Sequence, residues 1–192
     1  MSLSRIQILL LVSSFLAGLV VGFAVFYLVP FLRAPGQDQL SSVYYQQLQI
    51  VTSTLRGYAY LNMLYNFKDV FIYTANARIL ITLANITGSV EMLNLAKTNL
   101  ETAINTTSRI DRDIDLLQAL NITQIERNIL NQVRNENANI KIDLQTLLNA
   151  VSTSINNKSI DPSLPDKAQN ILNNVAQRID RVSTLISSIT SS

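Results

Sequence analysis

Apolar side chains recur every three or four residues from about residue 40 to the end of the chain, a spacing that places them on one face of an α-helix. Three interruptions carry residues that favour helix ends: Asn and Gly at 85–88, Asn121, and a stretch with two prolines at 156–165. The pattern therefore predicts four helices, at about 40–84, 89–120, 122–156 and 163–190.

The separation of the second and third helices depends on one change of phase. The apolar positions slip between Leu117 and Ile122, which favours a turn near Asn121. A single continuous helix with a local stutter is the alternative interpretation.

Each predicted helix has an apolar stripe that we expect to face a shared core. In the first helix the stripe comprises Leu48, Val51, Leu55, Tyr58, Tyr65, Ile72, Ile79 and Leu83. In the third it begins at Ile125 and continues through Val133, Ile140 and Leu144. Long amphipathic helices with short connections predict an all-α fold over residues 40–192, an antiparallel four-helix bundle with coiled-coil-like helices.

The N-terminal region has a different pattern. Residues 6–32 contain no charged side chain and are flanked by Arg5 and Arg33. About 20 apolar residues suffice to cross a bilayer, so we predict a transmembrane helix at 6–32, a cytoplasmic N-terminus at 1–5 and a linker at 33–39. A secretory signal peptide is the alternative, but its apolar region is typically about 7 to 15 residues long.

The Asn-x-Ser/Thr acceptor pattern, used for glycosylation outside the cytoplasm, indicates the orientation of the anchor. It occurs four times, at Asn85, Asn105, Asn121 and Asn157. Three of these sites coincide with predicted turns, which favours an extracytoplasmic bundle, although Asn prefers helix ends in any case. Within the anchor, Gly18 and Gly22 form a small-xxx-small pair that predicts a contact between membrane helices.

Composition narrows the chemistry. The net charge is +2, which does not indicate nucleic-acid binding, and Cys, His and Trp are absent. The Asp-x-Asp-x-Asp run at 111–115 has Leu116 where a calcium loop needs glycine, so we expect a solvated helix face with an Arg109–Asp113 pair instead. The sequence predicts no metal, no cofactor and no enzymatic activity.

Aromatic residues are confined to the first part of the chain, since every Tyr and Phe lies at or before Tyr73. In the first helix they cover more than one face, which indicates a surface for a partner. The alternative is that they fill a wide core, with Tyr44 and Tyr45 near lipid headgroups. The predicted partner interface comprises Tyr58, Tyr60, Tyr65, Phe67, Phe71 and Tyr73.

These features together favour a membrane-anchored structural or accessory subunit of a membrane or cell-envelope assembly. Its expected partners are the lipid bilayer and other membrane or envelope protein subunits, a homo-oligomer included. An extracytoplasmic ligand-binding, sensor-like bundle that works with a separate signalling chain is the alternative. Amide and hydroxyl side chains outnumber charged ones roughly two to one, so we also hypothesise an acidic exterior, where side chains that do not titrate retain their interactions.

Overall fold

The computed structural model describes residues 37–190, with side chains described at 43–189. The predicted transmembrane helix at 6–32, its Gly18 and Gly22 pair and the N-terminus at 1–5 lie outside the described residues. Positions 37–39, assigned to a linker by the sequence pattern, are helical.

The described chain consists of four helices, which confirms the predicted all-helical class, and residues 37–190 contain no strand. They are α1 (Gln37–Thr87), α2 (Val90–Ala119), α3 (Gln124–Asn156) and α4 (Leu164–Thr190). The end of α1 is set by Gly88, whose positive φ of 69° suits a residue without a side chain. Its N–H donates to the Ala84 carbonyl at 2.8 Å, so Asn85 lies in the last turn of α1 and not beyond it.

The connection between α2 and α3 is a true turn, so the alternative of one continuous helix is wrong. Residues 120–123 are not helical, and Thr123 caps α3. The Thr123 hydroxyl accepts from the Glu126 N–H at 3.2 Å, and the Glu126 carboxylate accepts from the Thr123 N–H at 2.9 Å. This reciprocal capping box satisfies two backbone donors that the helix itself leaves unpaired.

Consecutive helices run antiparallel. Near the α2–α3 turn, the Gln118 amide donates to Asn131 at 2.9 Å, and further away the Asn137 amide donates to the Thr107 carbonyl at 2.9 Å. Helix α2 packs against α3, and α3 against α4. Helix α1 is joined to α2 by the Asn62 amide, which donates to Asp113 at 3.0 Å, well away from the Gly88 turn.

The core follows an unbroken alternation of three and four residues, the spacing of coiled-coil packing. In α2 the buried positions are Leu93, Ala96, Leu100, Ala103, Thr107, Ile110, Ile114 and Leu117. Most of the predicted core stripes of α2, α3 and α4 are buried or half-buried. Ile125 is an exception at 72% exposed, because the capping box turns its neighbour Glu126 inward.

Candidate interaction surface

Helix α1 has two apolar faces, and one of them belongs to the bundle core. This inner face alternates by three and four residues and is buried throughout, at Tyr60, Met63, Phe67, Val70, Thr74, Ala77, Ile81 and Ala84. An ion pair between Arg56 and the buried Glu126 also joins α1 to the start of α3. The inner face therefore holds the second half of α1, from Ala59 to Ala84, in the bundle.

The other face is the apolar stripe that the sequence pattern assigned to the core, and that assignment was wrong. Its eight residues, from Leu48 to Leu83, are between 41% and 65% exposed. The inner face contains Ala and Thr, which make it look less apolar in the sequence than it is in the fold. Because the exposed face has the larger side chains, spacing and hydrophobicity alone predicted the wrong face of α1 to be the buried one.

The exposed face follows a seven-residue repeat from Val51 to Ile86. We call its members the outer stripe. One set recurs every seven residues without exception and is apolar and exposed: Val51, Tyr58, Tyr65, Ile72, Ile79 and Ile86. The set between them contains both apolar and polar residues: Leu55, Asn62, Asp69, Asn76 and Leu83. Positions a and d of a coiled coil have this arrangement, with the second set at a and the first at d.

The predicted partner interface is divided between the two faces. Tyr58, Tyr65 and Phe71 are 65%, 58% and 38% exposed, whereas Tyr60 and Phe67 lie in the core at 6% and 1%. Tyr73 is half-buried against the core. Tyr60 and Phe67 are therefore out of reach of a partner. The aliphatic members Ile72, Ile79 and Ile86 were not included in the prediction, although their exact seven-residue recurrence was visible in the sequence.

The three aspartates of the 111–115 run contact different neighbours and are not gathered around a common centre. Asp113 accepts from the amides of Asn62 at 3.0 Å and Asn66 at 2.9 Å, both on α1. Asp111 accepts from Asn137 of α3 at 2.8 Å, while Asp115 pairs with Arg134. The predicted Arg109–Asp113 pair is absent among the described ion pairs, because the Asp113 carboxylate is turned toward α1. Within residues 37–190 no group of three acidic side chains is placed to hold a metal ion.

Replacing Asp113 with Ala is expected to lower the free energy of unfolding by about 1–3 kcal/mol, because the amides of Asn62 and Asn66 lose their shared acceptor. Asn66 is buried at 7% exposure, so water cannot easily replace the carboxylate. The matched control is Asp115→Ala, whose side chain is 67% exposed, and whose loss is expected to cost at most about 0.5 kcal/mol. Urea unfolding of both variants measures the difference, and equal losses would contradict this assignment.

A second polar cluster joins α3 to α4. Arg181 donates to Glu136 at 3.0 Å, and Arg178 bridges Glu136 at 3.0 Å and Asp143 at 3.4 Å. Hydrogen bonds from Arg181 and then Arg178 hold the pKa of Glu136 below its usual 4.5, against the opposing effect of burial. An open groove of about 450 Å³ lies beside this cluster, with Asn135, Asp180 and Leu185 among its lining residues.

Because its pKa is lowered, Glu136 is expected to make a contribution to the free energy of unfolding that depends on pH. Because the folded-state pKa is below the unfolded value, this contribution is fully present above about pH 4.5 and is lost as the pH falls through the folded value. Glu136→Gln is therefore expected to unfold more easily than the parent near pH 7, by up to about 1 kcal/mol. The difference between the two proteins should shrink as the pH falls below about 4.5. A constant difference across this range would contradict the ion-pair explanation.

The same titration tests the acidic-exterior hypothesis. If the bundle keeps its interactions in acid, circular dichroism of the parent chain should show the helices intact from pH 7 to about pH 2. Loss of helix by about pH 4 would refute the hypothesis. The Glu136 carboxylate makes interhelical contacts with Arg178 and Arg181, and these contacts are expected to be lost when acid protonates it.

All four glycosylation acceptors are on the surface. Asn85 is exposed in the last turn of α1, Asn121 lies in the α2–α3 turn, and Asn157 follows α3 directly. Asn105 is exposed on the middle of α2. Modification of these sites stays a prediction.

One helix of the described chain, Val43–Thr87 within α1, is long and apolar enough to span a membrane. Length and composition are weak evidence, since a core helix satisfies the same criteria. Here the apolar character has a structural explanation, because α1 combines a buried inner face with the outer stripe. It also carries Arg56, Lys68, Asp69 and Arg78.

Comparison with known proteins finds no protein-family model, no curated protein and no solved structure that matches the chain.

Proposed function

We propose that this protein is a membrane-anchored structural or accessory subunit of a larger membrane or cell-envelope assembly, and that it acts through helix–helix contacts made by α1. The observation that carries the proposal is the outer stripe, a long apolar face on a helix whose opposite face already packs in the core. In this proposal the protein acts by binding other chains and not by catalysing a reaction.

The extent of the exposed face supports this proposal. The eight apolar residues of the outer stripe, from Val51 to Ile86, are between 41% and 73% exposed, and together they present on the order of 1,000 Å². The largest apolar patch on a typical soluble monomer is about 300–600 Å², and larger ones mark sites of interaction. A partner that covers this face would remove it from water.

The apolar segment at 6–32 supports the membrane anchor, and the four surface acceptors support an extracytoplasmic bundle. An anchor and a lateral binding face together suit a subunit that is held beside other membrane proteins. Anchoring also concentrates the chain in two dimensions, so that a modest contact through α1 suffices for assembly.

A ligand-binding, sensor-like bundle is the second candidate, and the groove between α3 and α4 would be its binding site. Glu136 in this groove is already paired with Arg178 and Arg181, so its charge is largely neutralised. The groove is also open, whereas small-molecule sites typically bury most of the ligand. The outer stripe therefore favours the subunit over the sensor.

Gentle detergent extraction from the native membrane, followed by native mass analysis of the full chain, tests the proposal. We expect the chain to migrate in a complex of fixed stoichiometry with other chains or with itself. Migration as a lone monomer at native concentration would overturn the proposal and would favour a free-standing surface or ligand-binding protein.

A further inference from the structure

We propose that the partner of the outer stripe is a second copy of this chain, and that two α1 helices pair along it as a parallel, in-register coiled coil. The inference rests on the proposed function and deepens it by naming the partner. Its support comes from the repeat, the charges and the area of the stripe.

The seven-residue repeat favours a helix as the occupant. Residues that recur every 3.5 positions on average, as the a and d sets do together, form a straight seam when two helices wind around one another. The d set keeps this repeat from Val51 to Ile86, over five intervals of seven residues. A flat protein surface or a bilayer does not require this period, whereas a partner helix with the same period does. The chain carries such a helix itself.

Polar residues at three consecutive a positions disfavour lipid as the occupant. Asn62, Asp69 and Asn76 lie seven residues apart in the middle of the stripe; Asn62 is engaged with Asp113 of α2, while Asp69 and Asn76 are exposed. In hydrocarbon these groups would be costly, whereas in a coiled coil a polar a position fixes register and the number of strands. Asn76 is exposed on α1, and in an in-register pair it would meet Asn76 of the second copy.

The charges at the centre of the stripe are self-complementary. Lys68 and Asp69 are exposed neighbours, and neither forms an ion pair among the described residues. In a parallel, in-register pair, the two Asp69 side chains meet at position a, and Lys68 at position g of each helix lies beside the Asp69 of the other helix and offsets their repulsion. Two reciprocal Lys68–Asp69 pairs would thus form across the axis. A two-fold symmetric interface requires this reciprocity.

The exposed apolar area of the stripe is large enough for the interface of a stable dimer. Specific interfaces bury about 800 Å² on each partner, close to the order of 1,000 Å² that the large apolar residues of this face present. The parallel orientation follows from the proposed anchor, because two chains inserted the same way into one membrane present their α1 helices in the same direction.

Single-cysteine cross-linking of the full chain in its native membrane tests the inference. The chain has no cysteine, so one introduced thiol reports on its own site alone. Tyr58→Cys and Ile79→Cys occupy d positions three heptads apart. We expect each, alone, to form a disulfide-linked product of twice the 21.4 kDa chain mass on mild oxidation with copper phenanthroline. Leu95→Cys, 48% exposed on α2, is the control and should remain monomeric.

Other outcomes separate this inference from the proposed function. A product that joins the chain to a different polypeptide at Ile79→Cys would overturn the second copy but retain the accessory subunit. Self-cross-linking at one site and not at the other would overturn the parallel register. No product at either site, with a native complex still seen by mass, would overturn the coiled coil alone. No product together with a lone monomer would overturn both.

Discussion

A double substitution of Ile72 and Ile79 with Lys is expected to release the chain from its native complex while leaving the bundle folded. Both residues lie on the outer stripe, at 41% and 49% exposure, so a lysine at either site meets water in the free chain. In the complex, four or more charges would be brought into an apolar seam, at a cost of several kcal/mol. We expect association to weaken by at least about 100-fold, measured by dilution of the detergent-extracted complex.

The matched control for this variant places two lysines on another exposed apolar site. Leu95 and Leu116 are 48% and 42% exposed and belong to α2, not to the outer stripe of α1. The Leu95→Lys, Leu116→Lys chain should keep its complex, and both double variants should show the helical circular dichroism of the parent. Retention of the complex by the Ile72, Ile79 variant would show that the outer stripe is not the interface.

Phe67→Ala is expected to produce the largest loss of stability, about 3–5 kcal/mol, because it leaves a cavity in the core. Phe67 is 1% exposed on the inner face of α1. For a chain of this size, such a loss lowers the melting temperature by roughly 6–20 °C. Thermal unfolding followed by circular dichroism measures the shift.

Phe71 is the matched control, the same residue type one helical turn further along α1. At 38% exposure it fills little of the core, and Phe71→Ala is expected to cost no more than about 1 kcal/mol. Equal losses for the two variants would contradict the assignment of the inner and outer faces.

The four helices could be predicted from the sequence because their ends carry local signals. Gly88 accepts the positive φ that ends α1, and Thr123 with Glu126 forms the capping box that starts α3. The phase slip of the apolar positions is compatible with a turn or with one continuous helix. The capping box favours the turn, because it marks the start of a new helix. Local chemistry therefore determined the helix boundaries more reliably than periodicity did.

The orientation of α1 was not predictable from its apolar pattern. Two stripes of equal period lie on nearly opposite faces, and the more hydrophobic one, with Tyr58, Tyr65 and Ile72, is exposed. Long-range contacts turn the other face inward. Asn62 and Asn66 donate to Asp113, and Arg56 pairs with Glu126. These contacts join residues far apart in the chain, and no local pattern records them.

The candidate surface was partly accessible to sequence reasoning. The confinement of aromatic residues to the first part of the chain pointed to α1 as the distinctive helix. It did not separate Tyr60 and Phe67, which belong to the core, from Tyr58 and Tyr65, which are exposed. A count of seven-residue intervals along α1 makes that separation, because core and surface residues occupy different heptad positions.

Radical footprinting of tyrosines tests most directly whether α1 meets another helix through its outer stripe. The full chain would be oxidised in its native membrane, and again after high dilution into liposomes, where each chain is alone with lipid. We predict that Tyr58 and Tyr65 are protected in the native membrane and reactive in the liposomes, while buried Tyr60 is protected in both. Equal reactivity of Tyr58 and Tyr65 in the two settings would contradict the account.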